Sequence, residues 1–391
     1  MTTDQKNLIS WAHSSESERS IKAMLNLSRA MPPFASYLPD FDKDPYLLNC
    51  INGTINLKTG MLQAHNPADM ITKLAPIRCP ASAGDAKCDL WLRCLNRWMS
   101  DDQEVISYLQ QLGGMCLTGD TSSRVFPIFW GVGKNGKSVF LDTIMELMGD
   151  YATPAPDGFL ADKTFDTHPT EIADLFGKRL VVAAETKKNM KLRTALVKAH
   201  TGDTRLKGRF MRQDYFSFPT THKIILMTQN LPIIDETSDA IWDRVHALHW
   251  KVRIPDNEQD TRLMEKLKQE CPGIMAWLVQ GCLMWQQVGR LKPTASIVQT
   301  NREYREDEDL LKEFIEQTCI FGADLFVPKG RLRNLYDQWA EANSVKYTLG
   351  ERSFNAYLRE KGCKDGQKRI ENKNLKCWFG IGLQSQEMPT V

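Results

Sequence analysis

The stretch Gly131-Val-Gly-Lys-Asn-Gly-Lys137-Ser138 fits the pattern G-x-x-x-x-G-K-[ST] without exception. The apolar run at 124–130 before it predicts a buried strand, and residues 139–148 after it carry apolar side chains at helical spacing. A glycine-rich turn between a strand and a helix directs backbone N–H groups and the positive end of the helix dipole at one point. The sequence therefore predicts a phosphate-binding P-loop in an α/β domain.

Each residue of this loop has an expected role in holding a polyphosphate and Mg²⁺. Lys137 is expected to reach the β- and γ-phosphates, and the Ser138 hydroxyl is expected to hold Mg²⁺. Glycines at 131, 133 and 136 let the backbone bend and approach the phosphates closely. A chance match in a glycine-rich turn is the alternative, and the flanking strand and helix argue against it. The expected nucleotide-binding residues are Gly131, Gly133, Asn135, Gly136, Lys137, Ser138 and Val139.

Composition limits the class of protein. The chain has 391 residues, 42% of them hydrophobic, which is enough for two or three domains with real cores. Because 50 Lys and Arg face 48 Asp and Glu, a polyanion partner would have to be held by local basic patches. The ten cysteines form no C-x-x-C pair, which indicates free thiols in a reducing cytoplasm. No apolar run approaches the roughly twenty residues of a membrane span, so we expect a soluble protein.

Three polar residues downstream of the P-loop are candidates for catalysis. Glu185 ends the apolar strand 180–184, where a carboxylate can polarise an attacking water and order the Mg²⁺ shell. An ordinary acidic residue at a strand end is the alternative, and the P-loop about fifty residues earlier favours catalysis. Asn230 ends the next apolar strand, where an amide can orient that water or sense the γ-phosphate. Arg244 is a candidate arginine finger. Taken alone, Asn230 and Arg244 are weak signals, since strands often end in Asn and surface arginines are common.

A segment at 205–216 interleaves basic and aromatic residues around Gly208. Such a composition suits a hairpin whose cations meet phosphates while aromatic rings pack or stack on bases. A solvated charged hairpin fits the composition equally well. The candidate DNA contacts in this segment are Lys207, Arg209, Phe210 and Arg212.

The order of these motifs resembles the C-terminal helicase region of phage and plasmid primase-helicases. That region is related to the poxvirus primase-helicase and lies within superfamily 3 of the AAA+ ATPases. Besides the P-loop and the strand ending in Glu185, the resemblance rests on four motifs: N-G-x-x-x-L-x-T-G at 52–60, K-x-x-T-G-D at 198–203, T-x-N-x-P at 228–232 and E-x-P-G-I-x-x-W at 270–277.

The resemblance implies an AAA+ P-loop ATPase core at 111–310, preceded by a helical and hairpin collar domain at 1–110. Two amphipathic helices and a basic turn-rich segment at 364–376 fit the winged-helix domain that the resemblance places at 311–391. The implied protein is a replicative helicase of a phage, plasmid or other mobile element in the host cell cytoplasm. It would form a homo-oligomeric ring, expected to be hexameric, that hydrolyses ATP to move 3′ to 5′ on single-stranded DNA and to unwind forked DNA.

The resemblance also assigns roles to single residues. Catalysis falls to Lys137, Glu185, Asn230 and Arg244, with Arg244 reaching the nucleotide of a neighbouring subunit. Ser138 and Glu185 are the expected Mg²⁺ contacts. No stretch remains for a primase active site, so we expect either a separate primase or polymerase partner or a shortened form of a longer protein. An ATP-switched origin-binding protein without processive unwinding and a small-molecule P-loop kinase remain alternatives.

Overall fold

The computed structural model describes residues 2–32, 34–80, 87–162, 169–185, 187, 190–236, 238–308, 310–343, 345, 348, 350–370 and 373–384. The first part of the chain combines helices with a three-stranded antiparallel sheet in the order β1-β2-β3. Its elements are α1 (Thr3–Ser15), α2 (Glu18–Ser28), β1 (Leu47–Cys50), β2 (Gly53–Asn56), β3 (Met61–Gln63), α3 (Asp89–Met99) and α4 (Gln103–Leu117).

In the first part of the chain, apolar residues at helical spacing in 91–98 predict a helix, and short apolar runs around Asn52-Gly53 predict a hairpin at 46–62. The pattern Ser100-Asp-Asp-Gln103 predicts a capping box at the start of the next helix. The hairpin expected at 46–62 forms, and the apolar stripe of α3 is buried through Trp91, Leu95 and Trp98. The capping box expected from Ser100 is wrong, because Asp102 is the N-cap of α4 and its carboxylate accepts from the N–H groups of residues 104 and 105.

The centre of the molecule is a parallel five-stranded sheet in the order β10-β4-β9-β6-β5. A separate antiparallel hairpin, β7–β8, lies in the chain between α7 and β9. The elements are β4 (Phe126–Trp130), α5 (Lys137–Met148), β5 (Ala152–Pro154), α6 (Pro169–Ala173), β6 (Leu180–Glu185), α7 (Thr194–Gly202), β7 (Arg205–Gly208), β8 (Phe216–Pro219), β9 (Lys223–Thr228), α8 (Asp239–Trp242) and β10 (Val245–His249).

Strand β4 shows why this sheet is stable. Phe126 and Ile128 are buried in a hydrophobic cluster on one face of the sheet, and Phe129 is buried in another cluster on the opposite face. A parallel strand covered on both faces has little place for polar side chains, so it reads as a continuous apolar run. The sequence at 186–200 predicts a helix, and the predicted start is wrong, because α7 begins at Thr194; residues 186, 188 and 189 lie outside the described part of the chain.

The first part of the chain shares its core with the sheet. Three more helices follow β10: α9 (Leu263–Gln269), α10 (Cys271–Val288) and α11 (Ala295–Glu308). Helices α4 and α10 touch at their backbones, since a Cβ on Gly114 would lie 2.1 Å from the backbone nitrogen of Cys282. The domain boundary expected at 110 therefore falls inside α4, a helix packed against α10.

The last part of the chain has its own antiparallel sheet, in the order β11-β13-β12, and its own hydrophobic core, which includes Phe314, Tyr336 and Trp378. The segment 364–376, expected to be turn-rich, lies mainly in paired strands. None of the described helices is long and apolar enough to cross a membrane. The elements are α12 (Leu310–Thr318), β11 (Cys319–Pro328), α13 (Lys329–Ala342), α14 (Glu351–Glu360), β12 (Lys364–Ile370) and β13 (Lys373–Leu383).

Candidate nucleotide-binding site

A cavity of about 280 Å³ lies over the P-loop, at the edge of the sheet where the parallel strands end. Loop residues 133–139 form one wall, and the ends of β6 and β9 form another. Parallel strands bring their carboxyl ends to the same edge of a sheet, and ligands of open α/β sheets bind there. Motifs that lie far apart in the sequence therefore meet at one place. The wall residues from the strands are Ala184, Glu185, Met227, Thr228 and Gln229.

Lys137 is held at the centre of the loop. Its Nζ donates to the backbone oxygens of Gly131 at 2.6 Å and Val132 at 3.3 Å, and to Oδ1 of Asn135 at 3.0 Å. Burial lowers the pKa of Lys137 to about 8, so the ammonium keeps its proton at neutral pH. A buried ammonium surrounded by oxygens is suited to exchange one of these acceptors for a phosphate oxygen.

Asn135 fastens the P-loop to the segment that follows β10. Its Nδ2 donates to the backbone oxygen of Trp250 at 3.1 Å, and its Oδ1 accepts from the backbone N–H of Lys137 at 3.4 Å. Gly131 lies against the same carbonyl, because a Cβ there would be 2.5 Å from the Trp250 oxygen. Asn135 lines the cavity as expected, and its amide also shapes the loop.

The glycines of the loop differ in how strictly the structure requires them. Gly136 has φ +90°, and a Cβ there would lie 2.4 Å from the Trp98 ring. Gly133 has no positive φ, and a Cβ there would meet no atom within 4 Å. The backbone freedom expected at Gly133 is therefore not used in this conformation.

Gly136→Ala is expected to destabilise the protein by roughly 1–3 kcal/mol, through the left-handed backbone conformation and the clash with Trp98. Gly133→Ala is the matched control, in the same loop, and is expected to leave stability unchanged. Thermal or urea unfolding without nucleotide measures both. Equal stabilities for the two variants would contradict the packing of Gly136 on Trp98.

The expected Mg²⁺ contacts both line the cavity. Glu185 is 6% exposed and ends β6 in register with Thr228 of β9. The Ser138 hydroxyl lies in the first turn of α5, with Oγ 3.4 Å from Sδ of Met227. A hydroxyl and a carboxylate are oxygen donors of the kind Mg²⁺ prefers, and this ion usually takes its remaining ligands from phosphates and water. The side chains present therefore fit a Mg²⁺ that binds together with a nucleotide.

The end of β9 places a different amide at the cavity from the one expected. Asn230 is exposed, and its backbone oxygen accepts from Oγ1 of Thr228 at 2.8 Å. Among the described residues that line the cavity are Thr228 and Gln229, but not Asn230. The sequence signal for Gln229 was available, since it is the first polar residue with an amide after the strand. The sensor role of Asn230 stays a prediction.

Arg244 lies at the end of the sheet opposite to the cavity, where the parallel strands begin. It directly precedes β10, whose first residue Val245 pairs with Phe126 at the start of β4. Five strand residues, roughly 16 Å, therefore separate Arg244 from the P-loop of the same chain. Its guanidinium donates to the backbone oxygen of Ala240, and Nη2 lies 3.2 Å from the position of a Cβ on Gly202. Arg244 is too far from its own cavity to contact a phosphate there, so a finger role requires a neighbouring subunit.

In the hairpin β7–β8 the cations are exposed, whereas most of the aromatic rings are half-buried or buried. Lys207, Arg209 and Arg212 are exposed, and Arg212 has φ +60° in the turn. The Phe210 ring is half-buried and stacks on Phe216, with ring centroids 5.4 Å apart. All four candidate DNA contacts thus lie on one hairpin, and the three cations among them reach solvent.

A second, larger cavity of about 690 Å³ adjoins the P-loop, with Lys134, Gly136 and Val139 in its wall as well. Helix α3 and the segment 254–264 form the rest of the wall, with a mixture of apolar and charged side chains. Sequence reasoning did not find this cavity, because its two walls are far apart in the chain. The residues from these walls are Leu90, Arg93, Cys94, Arg97, Trp98, Ile254, Glu258, Gln259, Asp260, Thr261, Leu263 and Met264.

The fold and the site define a mixed α/β protein with a parallel sheet and a P-loop motif at the strand ends. A family model described as "D5 N terminal like" matches residues 2–100, and one described as "Family of unknown function (DUF5906)" matches residues 129–244. The second range contains the P-loop, Glu185 and Arg244.

Viral proteins are among the relatives of this chain. "Putative helicase L207/L206" of Acanthamoeba polyphaga mimivirus is 24% identical over 72% of this chain and 31% of its own length. "Putative helicase 022R" of Frog virus 3 (isolate Goorha) is 23% identical over 66% of this chain and 28% of its own length. This chain therefore spans less than a third of the length of these two relatives. An apo structure of the NrS-1 C terminal region aligns with a TM-score of 0.47 at 10% identity, covering 78% of this chain and 79% of that one.

The D5-like segment and the viral relatives confirm the resemblance to phage and viral primase-helicases. They support a helicase-related role for the chain.

Proposed function

We propose that this chain is the motor region of an ATP-dependent DNA helicase of superfamily 3, from the replication machinery of a virus, phage or other mobile element. One observation carries the proposal: the P-loop, Glu185 and the end of β9 line a single cavity. In the same chain, the cationic hairpin β7–β8 directly follows α7 and precedes β9. The strands β6 and β9, which line the candidate nucleotide site, therefore flank α7 and the candidate DNA-binding hairpin in the chain.

The larger cavity supports a nucleoside triphosphate over a simple polyphosphate. It shares Lys134, Gly136 and Val139 with the phosphate cavity, and its volume of about 690 Å³ is in the usual range for small-molecule sites. The apolar side chains of Leu90, Ile254 and other residues in its wall are suited to a planar base. In this arrangement the base lies between α3 and the segment 254–264.

Hydrolysis would proceed by in-line attack of water on the γ-phosphorus, while the bond from this phosphorus to the β–γ bridging oxygen breaks and ADP leaves. Glu185 polarises the water and accepts its proton, while Lys137 donates hydrogen bonds to the phosphate oxygens on which charge accumulates. Ser138 and Glu185 would hold a Mg²⁺ ion, which would supply positive charge to neutralise part of the same charge. Arg244 of a neighbouring subunit supplies a further positive charge in the transition state. The site is complete only in an oligomer, which we propose to be a hexameric ring.

The last part of the chain is proposed to be a winged helix that contacts the DNA backbone. Its elements follow the order helix, strand, helix, helix, strand, strand, and β12 and β13 form the candidate wing. Exposed cations on this wing would meet phosphates. They are Lys364, Lys368, Arg369, Lys373 and Lys376.

The test is the ATPase rate with and without single-stranded DNA, on a sample sized by light scattering, followed by strand displacement on a forked duplex. The proposal requires a large oligomer that hydrolyses ATP faster with DNA, leaves inorganic triphosphate intact and unwinds forks that carry a 3′ tail. DNA-stimulated hydrolysis without strand displacement would favour an ATP-switched origin-binding protein. A monomer whose ATPase ignores DNA would contradict the proposal.

A further inference from the structure

One aromatic ring of the hairpin β7–β8 faces solvent while the others pack inside. The ladder pairs Leu206 with Phe218 and Gly208 with Phe216, and these four residues face the protein. Phe210 stacks on Phe216 as described above. Tyr215, directly before β8, keeps 50% of its surface exposed. Among the residues of this hairpin, which the structure describes in full, Tyr215 is the exposed ring.

Two cations lie over this exposed ring. Nζ of Lys207 is 5.2 Å from the centroid of the Tyr215 ring, and the guanidinium carbon of Arg209 is 5.0 Å from it. Both cations belong to the arm of the hairpin opposite to the one that carries Tyr215. A cation over an aromatic face is attracted to the ring quadrupole, so Tyr215 and the two cations form one cluster.

We propose that Tyr215 stacks on a base of single-stranded DNA while Lys207 and Arg209 hold the adjoining phosphates. The inference rests on the proposed DNA-binding function and deepens it. An exposed ring with cations in contact with it matches what proteins use on single strands, where cations follow the backbone and rings take the bases. Duplex DNA offers no free base face to such a ring, so the contact selects single strands over duplex.

The test measures binding of two fluorescent oligonucleotides of equal length and charge, one of thymidines and one in which the central nucleotides are abasic. Wild-type protein should bind the thymidine strand more tightly. Tyr215→Ala should weaken binding of that strand about tenfold and leave binding of the abasic strand nearly unchanged, since one stacked base contributes on this scale. Tyr215→Phe should keep wild-type affinity for both strands, because it keeps the ring.

Two further variants distinguish the contribution of the ring to DNA affinity from the contribution of the charges. Lys207→Ala should weaken binding of both strands alike and reduce the dependence of affinity on salt, because it removes a phosphate contact. Met211→Ala changes an apolar residue that is 75% exposed in the same hairpin and should have no effect on either strand. Melting temperatures of all variants check that the hairpin remains folded.

Equal weakening of both strands by Tyr215→Ala would overturn the stacking role, because the ring would then act only by placing the two cations. Equal affinity of wild-type protein for both strands would overturn it as well, while DNA binding itself stood. A wild-type protein that binds neither strand would instead overturn the proposed function, and the stacking role with it.

Discussion

Lys137→Ala is expected to lower kcat for ATP hydrolysis at least about 100-fold, the scale seen when one donor to a transition-state oxyanion is removed. Lys137 is the ammonium held inside the P-loop, with the Gly131 and Asn135 oxygens as its present acceptors. Its pKa of about 8 keeps it charged at neutral pH. The loss is therefore expected in the chemical step, where phosphate charge is greatest.

Steady-state ATPase kinetics measure the effect, and Lys268→Ala is the matched control. Lys268 makes an ion pair of 2.6 Å with Glu146 near the far end of α5, on the protein surface. Surface ion pairs contribute little, so this control should keep kcat. A Lys137→Ala variant that melts like wild type and keeps its kcat would remove Lys137 from the mechanism.

Arg244→Ala is expected to reduce ATP hydrolysis about 1,000-fold or more, as for other arginine fingers, while nucleotide binding is retained. Nucleotide binding is retained because Arg244 and the P-loop of the same chain lie at opposite ends of the parallel strands, so Arg244 does not contact the nucleotide bound to its own chain. Arg305→Ala is the control. Arg305 forms an ion pair of 2.8 Å with Asp239 of α8, a helix that lies just before Arg244 in the chain. No contact with a nucleotide is proposed for Arg305.

A mixture of the two inactive variants tests the subunit arrangement directly. In a head-to-tail ring, an interface is complete when one subunit supplies an intact Lys137 and its neighbour an intact Arg244. Equal mixing of Lys137→Ala with Arg244→Ala chains therefore restores about one quarter of the interfaces, if subunits exchange. Recovered hydrolysis confirms action in trans. A mixture that exchanges subunits and stays inactive would show that Arg244 does not serve a neighbour's site.

The sequence determined those parts of the protein that depend on neighbours in the chain. The P-loop was predicted from an eight-residue pattern and its flanking strand and helix, because one turn and one helix start generate most of its geometry. Glu185 was predicted because a buried strand ends where its apolar run stops. The helix α3 followed from the apolar periodicity, and the hairpin β1–β2 formed where the apolar runs around Asn52-Gly53 predicted it, although Gly53 pairs with Cys50 and the turn itself is 51–52.

Tertiary structure decided which side chains face which partner. The packing of α4 on α10, the second cavity beside the P-loop, and the choice of Gln229 rather than Asn230 at the cavity depend on segments far apart in the chain. The hairpin sequence contains several aromatic residues, and only the tertiary structure shows that Phe210 stacks on Phe216 while Tyr215 is exposed. Local sequence sets backbone conformation, but burial and contact arise only when distant elements pack, which is why these features could not be predicted from the sequence alone.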